Sequence, residues 1–233
     1  MWPELDKTKW EMINEYDQFY QHWRSKSSSE FPKKFPYVLE LGADERGRSF
    51  IRFRPYDTTK GQILVIESYE NIFQRILGLR EEGAHRGIVL CGQPGTGKSQ
   101  SPDLHLCGHS VAHPLGKSTF LMFLLARLIS ARQVVIFGNR NVLHLFYHGK
   151  VYRKMQFLQD LPTLFRNERE QPAWALIDGD GMAEVPFSMD TPIWPILATS
   201  PQPIRWQSWG KQLNAYMWGM PKWNFEELVA WYA

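Results

Sequence analysis

Polar and apolar positions change period several times along the chain, and each change marks an element. Trp10, Ile13, Tyr16, Tyr20 and Trp23 recur at helical spacing with charges between them, which predicts one amphipathic helix over residues 3–24. The polar, proline-marked run "SKSSSEFPKKFP" then reads as a linker, so residues 1–34 form a helical appendage and residues 35–233 the main domain. Within that domain "YVLEL", "SFIRFRP" and "GIVLC" read as strands. Residues 68–82 read as a helix with Ile72, Phe73, Ile76 and Leu79 on one side. Further on, "QVVIFG", "PILAT" and "LNAYMWGM" read as strands, and "VLHLFYHGKVYRK" is strand-like on both sides of His148-Gly149. "TFLMFLLARLISA", from Thr119, and "FLQDLPTLFRN", broken at Pro162, read as helices, as does a segment containing Arg205 and Lys211. Alternating strands and helices predict an α/β fold, a three-layer parallel sheet flanked by helices. The last residues, "NFEELVAWYA", open an apolar helix and stop, which reads as a longer architecture cut short.

The strand "GIVLC" runs into Gly92, Gln93, Pro94, Gly95, Thr96, Gly97, Lys98 and Ser99, a full G-x-x-x-x-G-K-[ST] phosphate loop. The chemistry needs those residues. Glycines let the backbone turn its N–H groups onto phosphates, the lysine reaches the outer phosphates and the hydroxyl ligates Mg²⁺. A helix should follow, to add its N-terminal N–H groups and dipole. Instead the chain continues with "QSPDLHLCGHSVAHPLGKS", which has no helical period, and the helix pattern starts after a second Gly-Lys-Ser, Gly116 to Ser118. The second copy has the helix and lacks the loop, because Val111 and Pro114 stand where glycines belong. The first has the loop and lacks the helix. Removing the nineteen residues 100–118 restores strand, loop and helix in one register, so this segment reads as an insertion. An intron kept in frame and a real insertion loop remain open as its source. His105, Cys107, His109 and His113 lie within it, but their spacing matches no usual zinc pattern.

"PAWALIDGDG" is the second informative stretch. Residues 173–177 make a short buried strand, and Asp178 at its end suits a carboxylate that holds Mg²⁺. Gly179 occupies the adjacent place, where many ATPases carry a water-polarising acid. Asp180, one residue further, is the candidate for that role, with a plain turn as the other reading. Thr199-Ser200, at the end of "PILAT", offers a hydroxyl to the γ phosphate or the attacking water; a cap before a turn is the alternative.

Composition narrows the class. A net charge of +3 is too small to argue for nucleic acid, and no apolar run is long enough to span a membrane. "MWPELDKTKWEM" lacks a signal-peptide core, so the expectation is an intracellular protein. Two cysteines make no disulfide framework. Ten tryptophans read as core and interface residues, with no basic stripe to suggest base stacking.

Taken with the loop, "LFYHGKVY", "ALIDGDG", "ILATSP" and "WQSWGKQ" make residues 69–231 resemble the phosphate-loop NTPase superfamily on its ATPase side. They most resemble the ATPase module of fungal Crinkler-type and retrotransposon-hot-spot-type proteins. No N/T-K-x-D guanine motif and no L-S-G-G-Q are present. The resemblance implies ATP and Mg²⁺ as ligands, with Gly92, Gly95, Thr96, Gly97, Lys98 and Ser99 around the phosphates. Ser99 and Asp178 would hold the metal, with Lys98 and Asp178 in catalysis; Asp180 as a catalytic acid and Ser200 near the γ phosphate rest on their places in the sequence alone. An arginine finger would come from Arg127, Arg140, Arg205 or a neighbouring subunit, which makes a second copy or a protein partner an expectation. The rival from another class is a non-enzymatic remnant or interaction protein with a degenerate site. A small-molecule kinase ranks below both, for want of an acceptor pocket or lid.

Overall fold

The structure is a computed structural model that describes residues 10–14, 16–42, 61–92, 116–139, 142–155, 172–179, 193–200 and 206–220. Its elements in chain order are β1 (Glu11–Ile13), α1 (Asp17–Ser25), β2 (Tyr37–Glu40), β3 (Gln62–Val65), α2 (Glu67–Glu82), β4 (Ile88–Cys91) and α3 (Lys117–Ser130). They continue with β5 (Val135–Asn139), β6 (Val142–Tyr147), β7 (Lys150–Met155), β8 (Ala173–Asp178), β9 (Ile193–Thr199), α4 (Gln207–Gln212) and β10 (Tyr216–Gly219). A 3-10 turn at Ser28–Glu30, closed by a Ser27/Glu30 capping box, follows α1.

Eight strands form one mixed sheet in the order β1-β7-β6-β5-β8-β9-β4-β10. The five from β5 to β10 are parallel, and β6, β7 and β1 extend the sheet antiparallel. The expected all-parallel sheet is thus corrected to a mixed one. The cause is local: His148 and Gly149, both at positive φ, turn β6 back onto β7, and a two-residue turn of this kind can only join antiparallel neighbours. β2 and β3 pair separately as a two-stranded antiparallel ribbon.

Side chains from the two sheet faces enter two cores. One gathers α1, α2, α3 and the ribbon. The other holds Trp10, and Trp209 and Leu213 at α4, against Val89, Ile136 and Ile177. α3 is the central helix. Its residues from Thr119 to Ser130, Arg127 apart, are buried, because the sheet lies on one side and α1 and α2 on the others. That explains a helix pattern apolar nearly all round.

The N-terminal reading changes. Residues 10–14 do not continue a helix; β1 pairs with β7, Glu11 bonding Arg153 at 2.7 Å, and among the described residues of this stretch the helix is α1. The aromatic stripe does pack on the main domain: Phe19 and Tyr20 meet Phe146, Tyr16 meets His144, and Trp23 stacks on Phe31. Strand "SFIRFRP", helix "FLQDLPTLFRN" and the final "NFEELVAWYA" lie outside the described residues.

Candidate nucleotide site

The C-terminal ends of the parallel strands lie level. Register places Cys91 opposite Thr199, Ala198 opposite Asp178, and Asp178 opposite Asn139. After β4 the chain crosses to β5 and fills inward through β8 and β9, then passes to the far side of β4 for β10. Crevices where strand order reverses in this way, outside the carboxyl ends, are where open α/β sheets bind ligands. Asn139, Asp178, Thr199 and Ser200 are all buried polar residues at this edge.

The N-terminus of α3 faces the same edge. Gly116 is its N-cap at φ 118 and ψ −137, a conformation glycine adopts far more readily than other residues, and it has no side chain to cap the first N–H groups. The Gly116 carbonyl accepts from the Phe120 N–H at 2.9 Å and from the Tyr69 hydroxyl at 3.2 Å, so α2 holds the turn from behind. Lys117 lies along Gly92: its Nζ donates to the Gly92 carbonyl at 3.0 Å, and a Cβ on Gly92 would meet Lys117 Cγ at 3.4 Å. Burial pushes the Cys91 thiol above its ordinary range, and the nearby Lys117 ammonium pulls it the other way. Ser118 Oγ donates to Asp178 Oδ2 at 3.0 Å.

The helix therefore starts two residues before the expected Thr119, and its first two residues are those of the second Gly-Lys-Ser. Among the expected site residues, Gly92, Asp178 and Ser200 come together at this edge. Gly95, Thr96, Gly97, Lys98, Ser99 and Asp180 lie outside the described residues, as do His105, Cys107, His109 and His113. Among the described residues, Lys117 and Ser118 lie against Gly92 and Asp178. Identical tripeptides carry identical local chemistry, so only tertiary placement distinguishes them.

Gly179 also has a structural reason. A Cβ there would stand 3.0 Å from the Ala198 carbonyl oxygen and 3.0 Å from Leu197 Cδ1, so β9 crowds the place beside Asp178 and any side chain there must push its neighbours back by a few tenths of an ångström. Arg127 is taken from the arginine-finger candidates: it pairs with Glu70 at 2.9 Å and lies over the Phe31 and Phe73 rings. It stands nine residues beyond Ser118 on α3, about 14 Å along the axis. Arg140 and Arg205 lie outside the described residues.

Thr199 and Ser200 hydroxyls are buried without a hydrogen-bond partner among the described residues. Asn139 was missed in the sequence, although "QVVIFGN" ends in a polar residue as "ALID" does. Tyr69 had no sequence signal, since its role is a contact 47 residues away. Among the described residues no cluster of three or more His, Cys, Asp or Glu could hold a metal, and no helix is long and apolar enough to cross a membrane. A hydroxyl and one carboxylate nevertheless fit Mg²⁺, which keeps several waters and takes substrate phosphates as its other ligands. Comparison with protein-family models, curated proteins and solved structures found no match for the chain.

Proposed function

We propose that the protein binds ATP with Mg²⁺ at the edge formed by β4, β8, β9 and the N-terminus of α3. The observation that carries this reading is the paired contact of Lys117 with Gly92 and of Ser118 with Asp178. With nucleotide present, Lys117 exchanges the Gly92 carbonyl for phosphate oxygens, and the first N–H groups of α3 face the same charge. Ser118 and Asp178 would hold Mg²⁺, which neutralises charge on the outer phosphates. Thr199 or Ser200 gives a hydroxyl to the γ phosphate or the water, which supplies the partner each lacks among the described residues.

Hydrolysis needs a group to orient water. Asp180 stays the candidate within the chain, and an arginine comes from Arg140, Arg205 or a second copy. One observation favours a second reading, nucleotide binding without turnover: the crowding at Gly179 disfavours an acid at the place nearest Asp178.

Calorimetry with Mg-ATP on the full chain, Lys117→Ala and Lys98→Ala tests the site. Loss of a charged hydrogen-bond donor costs about 1.5–3 kcal/mol, so Lys117→Ala should weaken binding roughly 10- to 100-fold while Lys98→Ala changes it little. The reverse pattern moves the phosphate site to the first copy. No binding by the full chain ends the proposal.

A further inference from the structure

We infer that residues 97–115 are an in-frame intervening sequence, and that the same gene also yields a chain in which Thr96 is followed by a single Gly-Lys-Ser. The choice of those residues as the phosphate-binding ones rests on the nucleotide reading above; the intervening sequence itself rests on spacing and on the matching edges.

The spacing comes first. Lys117 sits on Gly92 although the two are 25 residues apart. In a G-x-x-x-x-G-K loop the lysine follows the first glycine by six. Lys98 already has that spacing, and the lysine found on Gly92 is the one that would stand six residues after it once the nineteen between the copies, 117 − 98, are removed. Removing nineteen residues gives Lys117 the motif's own spacing from Gly92.

The edges come second. Because Gly-Lys-Ser stands at both ends, any window from 97–115 to 100–118 leaves the same product, so sequence alone does not choose the boundary. The structure narrows it: Gly116, Lys117 and Ser118 are built into α3 and its cap, held by Tyr69, Gly92 and Asp178, so they belong to the retained side. Codon chemistry selects the same boundary. Gly97-Lys98-Ser99 can be written GGT-AAG-TCN, which contains GTAAGT, the best match to the donor that pairs with the splicing machinery. Leu115-Gly116 can be written TTA-GGN or CTA-GGN, which contains the acceptor TAG. Both cuts fall after the first base of a glycine codon, so the joined codon is again glycine. The removed interval is 19 × 3 = 57 nucleotides, and the frame is kept. The shorter chain has 233 − 19 = 214 residues.

The two forms would then differ in the same site. Closing a loop costs about (3/2)RT ln n, so holding Lys117 on Gly92 across 25 residues in place of six costs the contact about a tenfold factor in population. Keeping the segment is thus a way to make a folded chain with a weakened site.

The test is to reverse-transcribe the message from cells that carry the gene, sequence across codons 90–120, and search the purified endogenous protein for a peptide that joins Thr96 to Gly-Lys-Ser. The expected result is a product shorter by 57 nucleotides with that junction. A message that always keeps the segment overturns the inference. Both forms are then expressed and titrated with Mg-ATP. Roughly tenfold tighter, Lys117-dependent binding by the short form supports the regulatory consequence, and equal affinity overturns it. If the short message exists and neither form binds, the intervening sequence stands and the nucleotide reading falls.

Discussion

Ser118 and Asp178, sixty residues apart in sequence, are joined by a 3.0 Å hydrogen bond from the serine hydroxyl to one carboxylate oxygen. The bond ties the first turn of α3 to the end of β8, and it is the contact that a magnesium ion would enter. Ser118→Ala should therefore weaken Mg-ATP binding about tenfold and Asp178→Asn more, with ADP in the absence of Mg²⁺ little affected by either. Titration with and without Mg²⁺ checks this. Equal losses in both conditions would mean that these residues hold the helix and not the metal.

Tyr69→Phe removes the hydroxyl that bonds the Gly116 carbonyl and keeps the ring that packs on Phe120. One such bond contributes about 0.5–1.5 kcal/mol. The expected result is a loss of that size in urea unfolding, together with weaker nucleotide affinity because the Gly116 turn is less fixed. A stability loss with unchanged affinity would confine Tyr69 to the core.

Gly179→Ala forces a methyl to within 3.0 Å of the Ala198 carbonyl oxygen. Overpacking of this kind costs about 1–3 kcal/mol. For a chain of this size each kcal/mol is about 2–4 °C, so the melting temperature should fall by roughly 2–12 °C. A melting temperature equal to wild type would show that β8 and β9 can part at no cost, and that an acid at this place is sterically allowed.

His144 is buried between sheet and α1, with its ring edge-on to Tyr16 at 4.9 Å, and it is the register partner of Arg153. Burial first, and then the Arg153 charge, lower its pKa from 6.5 to about 4. The unfolded chain therefore takes up this proton at higher pH than the folded one. The contribution to stability is complete above pH 6.5 and is lost as pH falls through the window from about 6.5 to about 4. Its full size is on the order of 3 kcal/mol. His144→Phe should flatten the stability curve in that window, read by denaturant unfolding at pH 7 and pH 4.5. Parallel curves for the two proteins would place the acid sensitivity elsewhere.

Long periodic segments were legible because their burial is set by one neighbouring surface: α2 runs Glu67–Glu82 against an expected 68–82, and β5, β8, β9 and β10 fall on the expected runs. The turn at His148-Gly149 was legible from its own residues. β1 was not. Trp10, Ile13 and Tyr16 are spaced as a helix would space them, and what makes residues 11–13 a strand is β7, supplied some 140 residues later. Asp178 was legible because a buried run ending in an acid is a local pattern. Lys117 and Ser118 were hidden behind an identical tripeptide, and the contacts that single them out, to Gly92 and Asp178, are 25 and 60 residues away.

The pairing of Glu11 with Arg153 spans 142 residues, which sets an order on biosynthesis. The segment carrying β1 and α1 leaves the ribosome early, but the hairpin it covers, where Gln21 bonds the Gly149 carbonyl and Tyr20 meets Phe146, is translated much later. Until then Phe19 and Tyr20 have no Phe146 to pack on. The nascent chain thus carries an exposed aromatic strip through most of its synthesis, the kind of surface that chaperones occupy until the rest of a domain arrives.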